Sequence, residues 1–168
     1  RLLTLAAATL LALPAQADNG IDDHGSEPHA IGLWGDLPYS PAQATVGVPN
    51  LIADMNAHRL AFSVHNGDLK QGSGSLCDDN LYHQSLAWFN QLWAPAMFTP
   101  GDNDWTDCDR ASNGGFNARE RLDRERQIFF STPYSMGRRP MHQAVQTDAL
   151  CLGLNGLVPC VENRRWTV

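Results

Sequence analysis

The stretch "LAFSVHNGD", residues 60–68, decides the fold of this chain. It is a short, mostly apolar run that ends in Gly-Asp, a pattern typical of a buried strand that leads into a turn. Two other stretches have the same form, "HAIGLWGD" at 29–36 and "AMFTPGD" at 96–102. The three Gly-Asp pairs are 32 and 34 residues apart, about the length of one strand–helix–strand unit. The sequence therefore predicts three strands with a similar place in the fold.

The intervals between these strands carry apolar residues at helical spacing. A third helix is predicted from Asn117, which with Glu120 three residues later resembles a capping box, through Phe130. Strands that alternate with helices require right-handed crossovers, so the predicted fold class is α/β with a parallel sheet. The apolar faces of the first two helices are predicted to contain Val48, Leu51, Ile52 and Met55, and then Tyr82, Leu86, Phe89 and Trp93.

The first 17 residues have the pattern of a secretory signal peptide. An apolar run at 2–13 leads to a small-x-small cleavage site at 15–17, and the missing initiator Met indicates an N-terminally clipped signal. A signal anchor is the alternative, although the run is too short to span a bilayer. Cleavage would leave a polar N-terminus at 18–28 and one domain from 29 to 168. The sequence thus predicts a secreted or periplasmic protein without stable membrane insertion after cleavage.

The charge balance restricts the partners that the chain can have. Its 168 residues include 18 Asp and Glu against 12 Lys and Arg, a formal net charge of −6. An acidic surface gains nothing from a nucleic-acid backbone or an anionic membrane, so neither is expected as the main partner. A content of 43% hydrophobic and 18% charged residues suits one globular domain.

Four cysteines in an exported chain are expected to form disulfides, because compartments outside the inner membrane are oxidising. Cys151 and Cys160 flank an Asn-Gly hairpin signal at 155–156 that places them opposite each other. That leaves Cys77 with Cys108, both of which follow predicted strand ends at one edge of the sheet. A metal–thiolate cluster is the alternative, although the chain has no CxxC spacing.

The aspartates that end the three strands are the candidate functional residues. Parallel strands bring Asp36, Asp68 and Asp102 to one edge of the sheet, where ligands bind. Their mutual repulsion would raise each pKa unless a cation compensates, and such oxygen-rich sites favour divalent cations. A turn or helix cap explains any single Gly-Asp, but three in equivalent positions favour a metal site. Asp104 and Asp107 are predicted to lie outside it, with at least one accepting hydrogen bonds from backbone N–H groups.

Three motifs in order, "GDLPY" at 35–39, "HNGDLK" at 65–70 and "PGDNDW" at 100–105, resemble the calcineurin-like metallophosphoesterases. They are similar to a variant group with the signatures G-D-x-P-Y, H-x-G-D-x-K and P-G-D-N-[DE]-W. The resemblance covers about residues 29–168. It implies an α/β/β/α sandwich with two divalent metal ions at the strand ends. It also implies that a metal-bound hydroxide hydrolyses a small phosphorylated substrate.

The resemblance also assigns roles to residues of this chain. Asp36 would hold the first metal and Asp68 would bridge both. Asp102 and Asn103 fall on the family's Gly-Asn-His motif, so Asn103 is both a candidate ligand and the residue at the catalytic His position. Pro38 replaces the His of the family's Asp-x-His. Because two imidazoles are lost, the site is expected to tolerate Mg²⁺ or Mn²⁺ better than Zn²⁺, although iron and zinc both stay open.

Two further residues have alternative interpretations. Lys70 is the candidate substrate ligand, because its ammonium would neutralise a phosphate; a solvated loop lysine is the alternative. His65 is expected to be a packed strand histidine, and the alternative is that it orients Asp68.

Two functions remain open at this point. "RRWTV" at the end of the chain reads as the middle of a strand, so the sequence is predicted to be a fragment that lacks the family's later His ligands and is inactive alone. When full length, the protein would be an exported metal-dependent phosphoesterase. The alternative is an exported metal-binding module without hydrolytic activity, which the residues Pro38 and Asn103 favour.

Overall fold

The computed structural model describes residues 29–146 and 160–168. The predicted signal peptide and polar N-terminus lie outside these residues. So do the predicted hairpin at 155–156 and Cys151, and with it the predicted pairing of Cys151 with Cys160. No helix in the described part is long and apolar enough to cross a membrane.

Three parallel strands form the central sheet in the order β1 (Ala30–Trp34), β2 (Leu60–His65) and β3 (Ala96–Phe98). This confirms the α/β class and the parallel sheet. Each strand ends before its Gly-Asp pair, earlier than the sequence predicted. Asp36 and Asp68 have φ values of 56° and 60°, in the left-handed region that a strand cannot contain. The Gly-Asp pairs therefore form the turns that leave the sheet.

The helices connect the strands as predicted, with one difference in α2. Trp93 was predicted on the apolar face of this helix, but the helix ends at Phe89 and Trp93 is 55% exposed. The chain turns towards β3 after Phe89, so helical periodicity no longer determines which side chains are buried, and Leu92 enters the core instead. The three helices are α1 (Val48–Ala57), α2 (Asp79–Phe89) and α3 (Ala118–Phe129), and a π-helical turn (Gln43–Gly47) precedes α1.

The N-terminus of α3 is capped as the sequence predicted, although the capping box is only half formed. The Asn117 side chain accepts a hydrogen bond of 3.1 Å from the Glu120 N–H. The Glu120 carboxylate does not return to the cap but pairs with Arg121. Arg121 also pairs with Asp79 at the start of α2, so α3 is tied to α2 at this end.

The helices of the described part cover one face of the sheet. Trp34 and His65 project from this face and make ring contacts with Phe89 of α2. On the opposite face Ile31 is 53% and Leu33 is 73% exposed. The described residues also contain a short antiparallel ribbon of β4 (Ala144–Val145) and β5 (Arg164–Arg165). The sheet that carries the Gly-Asp turns at its carboxyl edge is thus packed against helices on one face only.

Candidate functional site

The turns after β2 and β3 are interlocked through two glycines. A Cβ on Gly67 would lie 2.4 Å from the Gly101 nitrogen, and a Cβ on Gly101 would lie 2.2 Å from Oδ1 of Asp68. Only glycine permits so close an approach. The two glycines thus allow the two loops to contact each other, which places Asp68 beside the 102–104 turn.

Asp68 is the centre of a hydrogen-bonded cluster at this edge. Its Oδ2 accepts hydrogen bonds from the Tyr39 hydroxyl at 2.8 Å and from Nδ2 of Asn103 at 2.9 Å. The Tyr39 oxygen also lies 3.2 Å from Oδ1 of Asp36. We call these four residues, Asp36, Tyr39, Asp68 and Asn103, the edge cluster. The structure therefore brings together three of the predicted site residues and adds Tyr39.

Electrostatics in the edge cluster favour added positive charge. Burial raises the pKa of Asp68, and the nearby negative charges of Asp102 and Asp36 raise it further, although hydrogen bonds from Tyr39 and Asn103 oppose this. Burial also raises the pKa of Tyr39, as does its hydrogen bond to Asp68. The cluster would therefore bind a proton more readily than a free carboxylate does.

Sequence reasoning did not select Tyr39, although a signal was present. It is the last residue of "GDLPY", three positions after Asp36. Spacing alone does not tell whether a tyrosine after a turn faces the core or the strand ends. The contact with Asp68, 29 residues away in sequence, is decided by the tertiary structure.

Asp104 braces the loop that carries Asp68. Its carboxylate is fully buried and accepts three backbone hydrogen bonds, from Asp68 and Gly101 at 2.9 Å each and from Leu69 at 2.6 Å. Burial raises the pKa of Asp104 to about 7. Asp107 instead forms a 2.6 Å ion pair with Arg110. The prediction that at least one of these two carboxylates would accept hydrogen bonds from backbone N–H groups is confirmed.

Asp102 does not join the edge cluster through any direct contact. Residues 29–146 and 160–168 contain no group of three His, Cys, Asp or Glu side chains that could hold a metal ion. The reason lies in the strand ends: Asp36 follows its strand by two residues, whereas Asp102 follows β3 by four and begins a 3-10 turn. The metal role of Asp36, Asp68 and Asp102 therefore remains a prediction.

The donor atoms of the edge cluster still suit a hard cation. Asp36, Tyr39 and Asp68 present oxygen atoms, which Mg²⁺ and Mn²⁺ prefer. The imidazole of His65 is buried in the core and makes ring contact with Trp34. These residues fit the oxygen-ligated metal expected from the sequence better than they fit a zinc site with nitrogen or sulfur ligands.

His65 is a packed strand histidine, as expected. It is 1% exposed, and its Nδ1 accepts a hydrogen bond of 3.1 Å from the Gly67 N–H. Burial lowers its pKa to about 4, so the ring is neutral near pH 7. Through Gly67 this neutral ring helps to hold the turn that presents Asp68.

Lys70 is buried rather than solvated, so the solvated-lysine alternative is wrong. It is 2% exposed, and its ammonium donates a hydrogen bond of 3.1 Å to the Gln71 carbonyl. Burial lowers its pKa, while the charges of Asp104 and Asp107 raise it. Its own carbonyl accepts a hydrogen bond from Nδ2 of Asn103. Contact of Lys70 with a substrate remains a prediction.

The predicted disulfide between Cys77 and Cys108 is confirmed. The two Cα atoms are 5.6 Å apart and the bond closes a sequence separation of 31. These two cysteines are thus not metal ligands. The bridge joins the segment before α2 to the loop after β3, and the Tyr82 hydroxyl of α2 donates a hydrogen bond of 2.7 Å to the Asp104 carbonyl. The loop after β3 is therefore fixed both by the disulfide and by the Tyr82 hydrogen bond.

Two cavities found among the described residues lie away from the edge cluster. One of about 710 Å³ lies between β3, the end of α3 and the β4–β5 ribbon, with Phe98, Phe130 and Trp166 in its wall. Another of about 800 Å³ lies at the opposite end of the sheet beside His58 and Trp93. The edge cluster is thus identified by its chemistry and not by the volume of a pocket.

No protein-family model matches this chain significantly, and neither does any curated protein or solved structure. The resemblance to the metallophosphoesterases therefore depends on the three motifs. What the protein does has to be argued from these motifs and from the contacts of the edge cluster.

Proposed function

We propose that the full-length protein is an exported metal-dependent phosphoesterase whose edge cluster binds divalent cations. The observation that carries this proposal is the juxtaposition of Asp36 and Asp68 around the Tyr39 hydroxyl, at the edge where parallel sheets bind ligands.

The negative charge of this edge supports cation binding. None of the ion pairs found in the described residues involves Asp36, Asp68 or Asp102. Lys70 is nearby, but its ammonium donates its hydrogen bond to a backbone carbonyl. Burial is the main cause of the raised pKa of Asp68, and the charges of Asp102 and Asp36 add to it. A divalent cation would relieve this added repulsion.

The residues of the edge cluster would have distinct roles. Asp36 would hold one cation and Asp68, which lies between the other members, would bridge two. When bound, the cations would supply a water of lowered pKa and stabilise charge on the phosphoryl oxygens. Asn103 has no proton to release near pH 7, so it would act by donating a hydrogen bond to a substrate oxygen. In the described structure its Nδ2 donates to Asp68 and to the Lys70 carbonyl.

We extend the proposal to the complete fold and to export. Parallel sheets are usually covered on both faces, but Ile31 and Leu33 are exposed on one. A second sheet packed there would give the α/β/β/α sandwich of the resembled family. The Cys77–Cys108 disulfide suits an oxidising compartment. Export by the segment at 1–17 fits that compartment.

A metal-binding module without hydrolytic activity is the second candidate. It is favoured by Pro38 and Asn103, which stand where the resembled family has imidazoles. An amide cannot protonate a leaving group as an imidazolium does. The two candidates share the cation site and differ only in turnover.

Thermal unfolding of the full-length protein with Mn²⁺ and with a chelator tests the cation site. Mn²⁺ at a hundred times its dissociation constant should stabilise the fold by about 2.7 kcal/mol. Asp68→Asn should remove this response, whereas the matched control Asp107→Asn should retain it, because Asp107 pairs with Arg110 outside the cluster. If Asp107→Asn abolished the response and Asp68→Asn did not, the edge cluster would not be the site.

Hydrolysis of 4-nitrophenyl phosphate and of bis(4-nitrophenyl) phosphate by the same proteins separates the two candidates. Turnover that depends on Mn²⁺ or Mg²⁺ and is lost in Asp68→Asn is expected for the enzyme. Mn²⁺-dependent stabilisation without turnover of either ester would favour the binding module.

A further inference from the structure

We propose that the cavity at the amino-terminal end of the sheet binds a small organic anion that carries a planar ring. This cavity lies between the end of α1, the start of β2 and the segments around Trp93 and Arg139, and we call it the amino-end cavity. Its volume of about 800 Å³ is within the range of small-molecule sites in proteins. The inference goes beyond the proposed function, because the edge cluster lies at the other end of the strands.

Positive charge in the wall of the amino-end cavity is the first argument. Arg59 and Arg139 line it, and no Asp or Glu is among the described residues that do so. This differs from the chain as a whole, which has a formal net charge of −6. Both arginines are exposed, and no ion pair in the described ranges includes either of them. Guanidinium groups without a carboxylate partner are suited to bind the carboxylate or phosphate group of a ligand.

Hydrogen bonds fix the segments that carry these groups. The Asn56 side chain, at the end of α1, accepts a hydrogen bond of 2.7 Å from the Trp93 N–H and donates one of 3.0 Å to the Gln91 carbonyl. Nε of Arg139 donates a hydrogen bond of 3.0 Å to the Trp93 carbonyl, which leaves its two terminal nitrogens for an anion. The wall is therefore held together before a ligand binds, which lowers the entropic cost of binding.

An exposed indole in the same wall is the second argument. Trp93 lines the amino-end cavity and is 55% exposed, whereas Trp34 in the core is 9% exposed. The buried side chains of Met55 and Ala94 also line the cavity. An indole offers a flat apolar face on which another ring can stack. The ligand is therefore expected to combine an anionic group with a planar, largely apolar part.

The position of Arg59 also has a local explanation. His58 is the C-cap of α1, and positive charge at this end of a helix compensates the helix dipole. This explanation does not extend to Arg139, which belongs to a distant segment of the chain, or to the exposure of Trp93. A dipole role predicts that Arg59 affects stability alone, whereas a ligand site predicts that it affects the affinity for anions.

Calorimetric titration of the full-length protein with 2-naphthoate tests the inference. The neutral 2-naphthamide and acetate are the comparison compounds, because the first lacks the charge and the second lacks the ring. A chelator is present throughout, so that no metal ion attracts the carboxylate. Wild type should bind 2-naphthoate at least about fivefold more tightly than either comparison compound.

Three variants locate the binding site. Arg59→Gln and Arg139→Gln should each weaken 2-naphthoate binding by about fivefold, since both charges are partly solvated, and should leave 2-naphthamide binding unchanged. Trp93→Leu should weaken the binding of both naphthyl compounds. The matched control is Arg138→Gln, because Arg138 is exposed and adjacent to Arg139 but does not line the cavity. It should bind both compounds as wild type does.

The outcomes separate this inference from the proposed function. If wild type does not bind 2-naphthoate, or binds it no better than 2-naphthamide, the inference is wrong. An equal loss of affinity in Arg138→Gln and Arg139→Gln would also overturn it, because net charge would then explain the effect. If Trp93→Leu does not fold, the two arginine variants decide alone. Asp68→Asn should bind 2-naphthoate as wild type does, so failure of the edge cluster to bind cations leaves this test intact.

Discussion

Two acidic side chains, one in the loop after β3 and one in α3, are equally buried but differ in their hydrogen bonds. Asp104 and Glu125 are both 0% exposed. Asp104 accepts three backbone hydrogen bonds, whereas neither carboxyl oxygen of Glu125 has a hydrogen-bond partner in the described structure. The first carboxylate organises a loop; the second lies in a helix that packs against that loop. Burial alone thus does not tell what an acid contributes.

The two groups also affect each other. Burial raises the pKa of Glu125 well above its usual value, and the charge of Asp104 is the next largest cause, followed by that of Glu162. Two buried acids that interact in this way do not both ionise readily. Since Asp104 has three N–H donors to stabilise its charge and Glu125 has none, Asp104 ionises first and Glu125 keeps its proton.

The largest effect is expected from Asp104→Ala. This change leaves three backbone N–H groups without their acceptor, one buried at Leu69 and two part-buried at Asp68 and Gly101, and the loss at a buried group is worth roughly 1–3 kcal/mol. We expect the free energy of unfolding to fall by about 4 kcal/mol or more, measured by urea denaturation. Asp107→Ala is the control from the same loop; its ion pair with the half-exposed Arg110 should contribute less than about 1 kcal/mol. Equal losses of unfolding free energy in the two variants would contradict a stabilising role for the hydrogen bonds of Asp104.

The next largest effect is expected from replacing both Cys77 and Cys108 by Ala. A closed loop with a separation of 31 residues predicts a loss of roughly 3–4 kcal/mol in the chain-entropy model. The comparison becomes sharper when this change is combined with Asp104→Ala. Because the bridge and the carboxylate hold the same loop, the combined loss should be smaller than the sum of the separate losses. Strict additivity would show that they stabilise different parts of the fold.

The smallest effect, and one of opposite sign, is expected from Glu125→Gln. A group whose pKa is raised by folding contributes its stability below its unfolded pKa and loses it as pH rises towards the folded pKa. The variant should therefore match wild type near pH 4 and become increasingly more stable than wild type as the pH rises towards 7.

Urea denaturation across this pH range measures the difference between Glu125→Gln and wild type. Glu120→Gln is the control, since Glu120 lies exposed on the same helix. A difference that does not change with pH would mean that Glu125 is not protonated in the folded state.

The α/β order, the turns and one disulfide could be predicted from the sequence because they depend on local patterns. The apolar runs before Gly67 and Gly101 specify strands followed by turns, and the alternation with helices specifies a parallel sheet. Cys77 and Cys108 could be paired because both follow strand ends at one edge. The candidate residues Asp36 and Asp68 could be located on the same grounds.

The tertiary structure alone decided which side chains meet at that edge. Asp104 receives hydrogen bonds from residues 35 and 36 positions away, and no periodicity in the chain encodes such a pairing. Asp102 looked equivalent to Asp36 and Asp68 in sequence, but the short β3 ends four residues before it, so its carboxylate stays outside the edge cluster. Tyr39 joins the edge cluster instead, because its hydroxyl reaches Asp68. Local patterns set the direction of a strand, whereas the contacts of loops depend on how distant segments pack.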